Sequence, residues 1–250
     1  MFTLNHFILI GISALLITGL LIYDKYRGLS YNTVLNIAVI GSVISECVKV
    51  FSSMIEGYEG GMHLDPLDLP FHLCSIQLFL FFVLKYFIKT EDGRQRLLGF
   101  MIPVAILGGI MATLIPTEGV DFANPQVYQF FLYHAMLIFF ALYMIIHNHV
   151  RWSYGVLLRN LKYLSAVIYA ATILNSMLYA GNPEVNFFFL VRPPMKNLPI
   201  LNLDNGWVAY IIALTTIAII LLTLLHTILI FIQKRSEKFS SDNKVNSKIT

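Results

Sequence analysis

Seven apolar runs leave this chain few ways to fold. They lie near residues 5–23, 31–55, 71–88, 97–115, 127–147, 158–180 and 207–233. A helix crosses a bilayer with about 17–25 such residues. In hydrocarbon, every backbone amide must find its partner inside the segment, so long uniformly apolar runs fold as helices. The chain is 57% hydrophobic and only 12% charged, which excludes an ordinary soluble domain. The expected fold is therefore all-α, a polytopic membrane protein with seven transmembrane helices.

Basic residues set the expected orientation. Lys25, Arg27, Lys89, Arg94, Arg96, Arg151, Arg159 and Lys162 share the loops of one side with the lysine-rich tail. The opposite loops hold only Arg192 and Lys196 as basic residues, together with most of the acids. The positive-inside rule then predicts N-outside and C-inside, with the cell membrane as the location. The domain reading is a seven-helix transmembrane domain over 1–233 and a basic, disordered cytoplasmic tail over 234–250. The first run has no basic n-region and no convincing cleavage site, so it reads as a retained helix. The net charge of +3 comes from loops and tail and does not point to nucleic acid. Cys47 and Cys74 both fall inside spans and form no disulfide framework.

The polar residues inside the spans are the functional signal. Glu46, Lys49, His72, Cys74, Gln77, Thr113, His134 and Asn175 interrupt apolar runs. Each ionisable group among them costs about 2.5–3.5 kcal/mol in hydrocarbon on translocon scales. At ~1.5 Å per residue, Cys74 lies ~6 Å below Pro70, His134 ~10 Å below Val127 and Asn175 ~8 Å below Ala180. Five helices thus bring polar groups to the outer half of the membrane, which predicts a polar cavity there. Glu46 and Lys49, three apart, can meet on one helix face. They read either as a buried ion pair or as groups that orient a catalytic residue and hold a phosphate.

Cys74 is the candidate nucleophile. With Pro70 as helix start, it falls in the first turn of the third span, where the helix dipole favours a thiolate and desolvation opposes it. His134 is the candidate base. His72, two positions from Cys74, should point elsewhere if both sit on one helix. His147, His149 and His226 read as interfacial or packing residues. His63, Asp65, Asp68 and His72 match no specific zinc spacing, so no metal is expected. The chain has no Gly-rich phosphate loop, G-x-S-x-G elbow or HExxH, and no cofactor is expected. The loop over 181–206 carries the apolar run Phe187–Leu190 and reads as a segment lying in the interface or folding over the site. Ala105, Gly109 and Thr113 repeat every four residues, a pattern that allows close helix packing.

Leu69-Pro70-Phe71-His72-Leu73-Cys74 resembles the L-P-L-H-L-C signature of the YwaF-like bacterial integral membrane proteins, and is similar to that of their eukaryotic relatives, the transmembrane protein 164 family. Matching pieces are Glu46 and Lys49, Thr113 through Pro116, Tyr133-His134, and Asn186 with Phe187 through Pro193. The resemblance covers all seven spans. Ser75 stands where the family usually has an acid, and Ala135-Met136 follow the span-five His. A more distant similarity is to androgen-induced-gene-type lipid hydrolases, which use a Thr and a His. The resemblance implies a lipid acyltransferase with Cys74 as acyl acceptor.

The expected function is transfer of phospholipid or glycolipid acyl chains through a Cys74 thioester. His134 acts as base and Glu46 or Asn175 orients it. His72, Thr113 and Asn186 face the oxyanion, and Lys49, Arg192 and Lys196 hold a headgroup. Membrane lipids are the expected partners. The alternatives are a lipid hydrolase, a transporter or receptor built on Glu46, Lys49 and His134, and a regulatory subunit without chemistry.

Overall fold

The computed structural model describes residues 2–56, 66, 69–195, 198 and 200–246. Seven α-helices follow in order: α1 (Leu4–Arg27), α2 (Tyr31–Glu56), α3 (Ile76–Phe82), α4 (Glu91–Leu114), α5 (Pro125–Ile146), α6 (Tyr154–Tyr179) and α7 (Trp207–Asn246). Six helices are long and apolar enough to cross a membrane, and no strand occurs among the described residues.

Local sequence accounts for the helix starts. The Thr3 hydroxyl accepts from the His6 amide, Thr90 from Gly93, Asn124 from Gln126 and Ser153 from Val156. Each satisfies one of the amides that a helix start leaves without a partner. Glu91 and Asp92 add negative charge to the first turn of α4. Gly28, at φ 65°, ends α1 and donates its N–H to the Asp24 carbonyl at 2.7 Å.

Helices α4 and α5 form the centre of the bundle. Both are far more buried than α1, α6 or α7. Their contact depends on Gly109: a Cβ there would lie 2.6 Å from Ile138 Cγ1 and 3.3 Å from the His134 carbonyl oxygen. This is the close approach expected of the small residues in the fourth span. Phe81, Met101, Leu137 and Phe140 are fully buried around it, and the Phe81 and Phe140 rings meet edge to face at 4.8 Å.

The third span differs from expectation. Its helix begins at Ile76, not at Pro70, and continues from α3 into a π-helical turn over Val83–Phe87. Ile76–Phe87 rises about 18 Å at ~1.5 Å per residue, short of a ~30 Å hydrocarbon core. Residues 72–75 form a turn, closed by the Ile76 amide to the His72 carbonyl at 2.9 Å and the Gln77 amide to the Cys74 carbonyl at 3.1 Å. Cys74 therefore precedes the helix instead of sitting in its first turn. At the other end, α7 runs on as helix to Asn246. That stretch has neither Pro nor Gly, and Gln233 bonds Glu237 one turn on at 3.0 Å.

The bundle end away from Cys74 is closed by polar contacts. His147 Nε2 meets Asp24 Oδ2 at 2.8 Å, and the Tyr143 hydroxyl donates to the Leu29 carbonyl at 2.7 Å. His149 packs against Tyr31, whose ring lies under Arg94. Buried His226 receives the Asn160 amide at 3.0 Å. These histidines tie helix ends together, in line with a packing role.

Candidate functional site

Three elements converge on the Cys74 turn: α2, α5 and the run that follows α6. Helix α2 supplies Glu46 and Lys49, whose side chains pair at 2.6 Å and are largely buried. Lys49 lies near enough to act electrostatically on both the His72 ring and the Cys74 thiol, and Glu46 acts on the same thiol. Residues 72–75 are a turn and not a helix, so the helical spacing rule that sets His72 opposite Cys74 does not apply to them. Cys74 packs against the main apolar core and is partly buried, with Ser75 bonded to its thiol. Cys47 is exposed.

Helix α5 holds the turn in place. The Tyr133 hydroxyl donates to the Cys74 carbonyl at 2.8 Å, and the Ser42 side chain of α2 lies against the same hydroxyl. His134, the next residue, is 2% exposed. Its Nδ1 lies 2.7 Å from the Phe130 carbonyl. A carbonyl only accepts, so Nδ1 carries the proton and the Nε2 lone pair is left over. Nε2 is buried and has no hydrogen-bond partner among the described residues. The ring packs on Phe130 at 4.4 Å and on Tyr133 at 5.6 Å. Gln77 is equally buried; its Nε2 donates to the Met101 carbonyl at 3.2 Å and its Oε1 is left without a partner.

The apolar run after α6 folds onto this turn. Phe187 meets Phe71 edge-on at 5.6 Å and His72 at 5.3 Å, and Phe189 lies 5.8 Å from His72. Three side chains from α6 and α7 secure its backbone. Asn175 takes both the Phe187 amide (2.8 Å) and carbonyl (3.0 Å), Tyr210 donates to the Phe189 carbonyl, and Trp207 donates to the Leu190 carbonyl at 2.8 Å. Phe188 and Phe189 adopt φ 59° and 56°, a left-handed conformation that bulky residues rarely take and that costs about 1–3 kcal/mol each.

The remaining candidates are engaged elsewhere. Asn175 spends its amide on Phe187 and does not orient His134. Asn186 staples the loop: its Oδ1 accepts from the Val191 and Arg192 amides and its Nδ2 donates to the Arg192 carbonyl. Arg192 pairs with Glu184 and donates to the Pro183 carbonyl at 3.0 Å. The Thr113 hydroxyl donates to carbonyls of its own helix, at Gly109 and Ile110. Lys196 and the residues His63, Asp65 and Asp68 lie outside the described residues. Among the described residues, no three His, Cys, Asp or Glu gather as metal ligands.

Tyr210 and Ser42 escaped the sequence reading because a lone Tyr or Ser in an apolar run carries no pattern. His6 escaped it too: fully buried, it donates from Nε2 to the Thr113 carbonyl at 2.8 Å, while its Nδ1 accepts from the Phe2 amide.

The fold and its buried polar turn define a multi-pass helical membrane protein. The model of the TMEM164 family matches residues 1–226, and the chain belongs to that family. Neither the curated proteins nor the solved structures include a match.

Proposed function

We propose that the protein is a lipid acyltransferase of the cell membrane that works through a thioester on Cys74. The observation that carries this reading is the anchoring of the Cys74 turn to α5, the helix that carries His134. Tyr133 holds the Cys74 backbone, and the adjacent His134 presents a buried, unpartnered Nε2 lone pair. Such a lone pair is what a general base needs. The relation to YwaF-like bacterial proteins and the orientation, N-outside and C-inside, belong to the same reading.

The reaction balances in two halves. His134 Nε2 takes the thiol proton as Cys74 Sγ attacks the ester carbonyl of a membrane lipid. The tetrahedral intermediate expels the glyceryl oxygen, which leaves as the alcohol with the proton from His134. Sγ then carries the acyl group. An acceptor hydroxyl gives its proton to His134 and attacks the thioester; Sγ leaves and recovers the proton. The Lys49 ammonium favours the thiolate electrostatically, and Glu46 holds Lys49 in place. His72, in the turn and packed edge-on against Phe187, serves as a donor for the developing oxyanion. Arg192 and Asn186 shape the loop that covers the turn, and Asn175 clamps it.

Cys74→Ser tests the nucleophile: lipid remodelling by membranes holding this variant should collapse while the protein remains folded. Remodelling at the wild-type rate would remove Cys74 from the mechanism.

A further inference from the structure

A cavity of ≈380 Å³ lies between the end of α6, the start of α7 and the loop that covers the Cys74 turn. Thr172, Asn175, Ser176, Tyr179, Leu190 and Trp207 line it. The volume falls in the range of ligand sites, about 300–1,000 Å³. None of the described residues that line it is charged.

Its surroundings say what fills it. Ile173, Met177, Tyr179 and Val208 are exposed apolar residues on the two flanking helices, both long enough to span a membrane. The medium against this flank is therefore lipid. Tyr179 ends α6 and Trp207 opens α7, the level at which Tyr and Trp gather in membrane proteins. Thr172 lies about 10 Å deeper along α6 at ~1.5 Å per residue. The groove thus runs from the aromatic belt into the hydrocarbon.

The polar groups match an ester better than a phosphate. Thr172 and Ser176 donate their hydroxyl protons to carbonyls of their own helix at 2.9 Å, so they offer oxygen lone pairs only. Trp207 spends its N–H on the Leu190 carbonyl. The Tyr179 hydroxyl is bonded to no described residue and is free to donate. Among the described residues, one donor, no cation and an apolar wall suit the glycerol-ester region and upper chains of a lipid, with the headgroup left outside.

We propose that this groove holds a diacyl glycerolipid by its ester region. Asn175, which lines it, clamps the Phe187 backbone, and the Phe187 ring meets His72 edge to face. The clamp is then the partition between the docked lipid and the Cys74 turn. This inference rests on the reading of the protein as one that acts on membrane lipid, and its test leaves the thioester step aside.

The full chain carrying Cys74→Ala is placed in nanodiscs of phosphatidylcholine that includes a diazirine next to the acyl ester. Irradiation expels nitrogen and the carbene inserts into neighbouring bonds, and the adducts are mapped by mass spectrometry. The expected result is adducts enriched several-fold on residues 172–179, 190–191 and 207 over the lipid-facing surface of α1. Ser176→Trp, which fills the groove, should abolish that enrichment. An even spread over all lipid-facing helices in the unfilled protein overturns the proposal, as does enrichment that survives Ser176→Trp. If Ser176→Trp does not fold, the map of the unfilled protein decides alone. A groove that labels as expected beside a Cys74 that never carries an acyl group would leave the lipid site standing and reject the thioester.

Discussion

The Tyr133 hydroxyl donates to the Cys74 carbonyl at 2.8 Å, which joins the centre of α5 to a turn fifty-nine residues away. That bond places the thiol-bearing turn relative to His134 without touching the thiol. Tyr133→Phe should leave the Cys74 carbonyl without its partner, at a cost of about 1–3 kcal/mol. Thermal unfolding in detergent will read the stability loss. Acyl loading of Cys74 should slow as well, because the turn is freed. A Tyr133→Phe protein with unchanged unfolding and unchanged loading would mean that the bond positions nothing.

Asn175 makes the covering loop cooperative with α6. Asn175→Ala orphans a buried N–H and a buried C=O of Phe187, about 1–3 kcal/mol each. Hydrogen exchange at the Phe187 amide should accelerate sharply. Asn175→Asp keeps only the acceptor; the amide should stay protected longer than in the Ala variant. Equal exchange in all three proteins would show that the loop is held by its rings alone.

Glu46 and Lys49 are a pair whose halves need each other. Removing one partner of a buried pair strands the other charge, at about 3–5 kcal/mol. Glu46→Gln and Lys49→Met should each lower the unfolding temperature more than the double variant does. A double-mutant cycle on unfolding checks this, and strictly additive losses would contradict the pairing.

The opposite end of the bundle should sense pH through His149. Burial lowers its pKa, and the neighbouring His147 and Arg94 lower it further. The unfolded chain, with an ordinary value near ~6.5, binds the proton first as pH falls. The stabilising contribution is therefore complete above ~6.5 and is lost as pH falls through the lower folded value. The unfolding temperature should drop between neutral and mildly acid pH, and His149→Phe, which keeps a ring against Tyr31, should flatten that drop. A slope identical in the variant would assign the pH response to other groups.

Hydropathy made the helices legible because the cost of unpaired amides in lipid leaves no other solution for Leu4–Arg27 or Trp207–Lys238. Polar residues in apolar runs pointed to Glu46, Lys49, Cys74 and His134 for the same reason. What hydropathy could not show was conformation inside an apolar run. Residues 71–75 are as apolar as a helix would be, yet tertiary contacts from Tyr133 and Phe187 hold them as a turn. Depth along a helix was a poor guide to partners. The polar groups of Asn175 and Thr113 face a loop backbone and their own helix.

The thioester mechanism requires a covalent acyl group on Cys74. Purified protein in lipid is incubated with an acyl-labelled phospholipid, without acceptor, and its intact mass is measured beside that of Cys74→Ala. An acyl mass should appear on the wild-type chain alone and be released by hydroxylamine. An unmodified wild-type chain with lipid still bound, or the same adduct on Cys74→Ala, would contradict it.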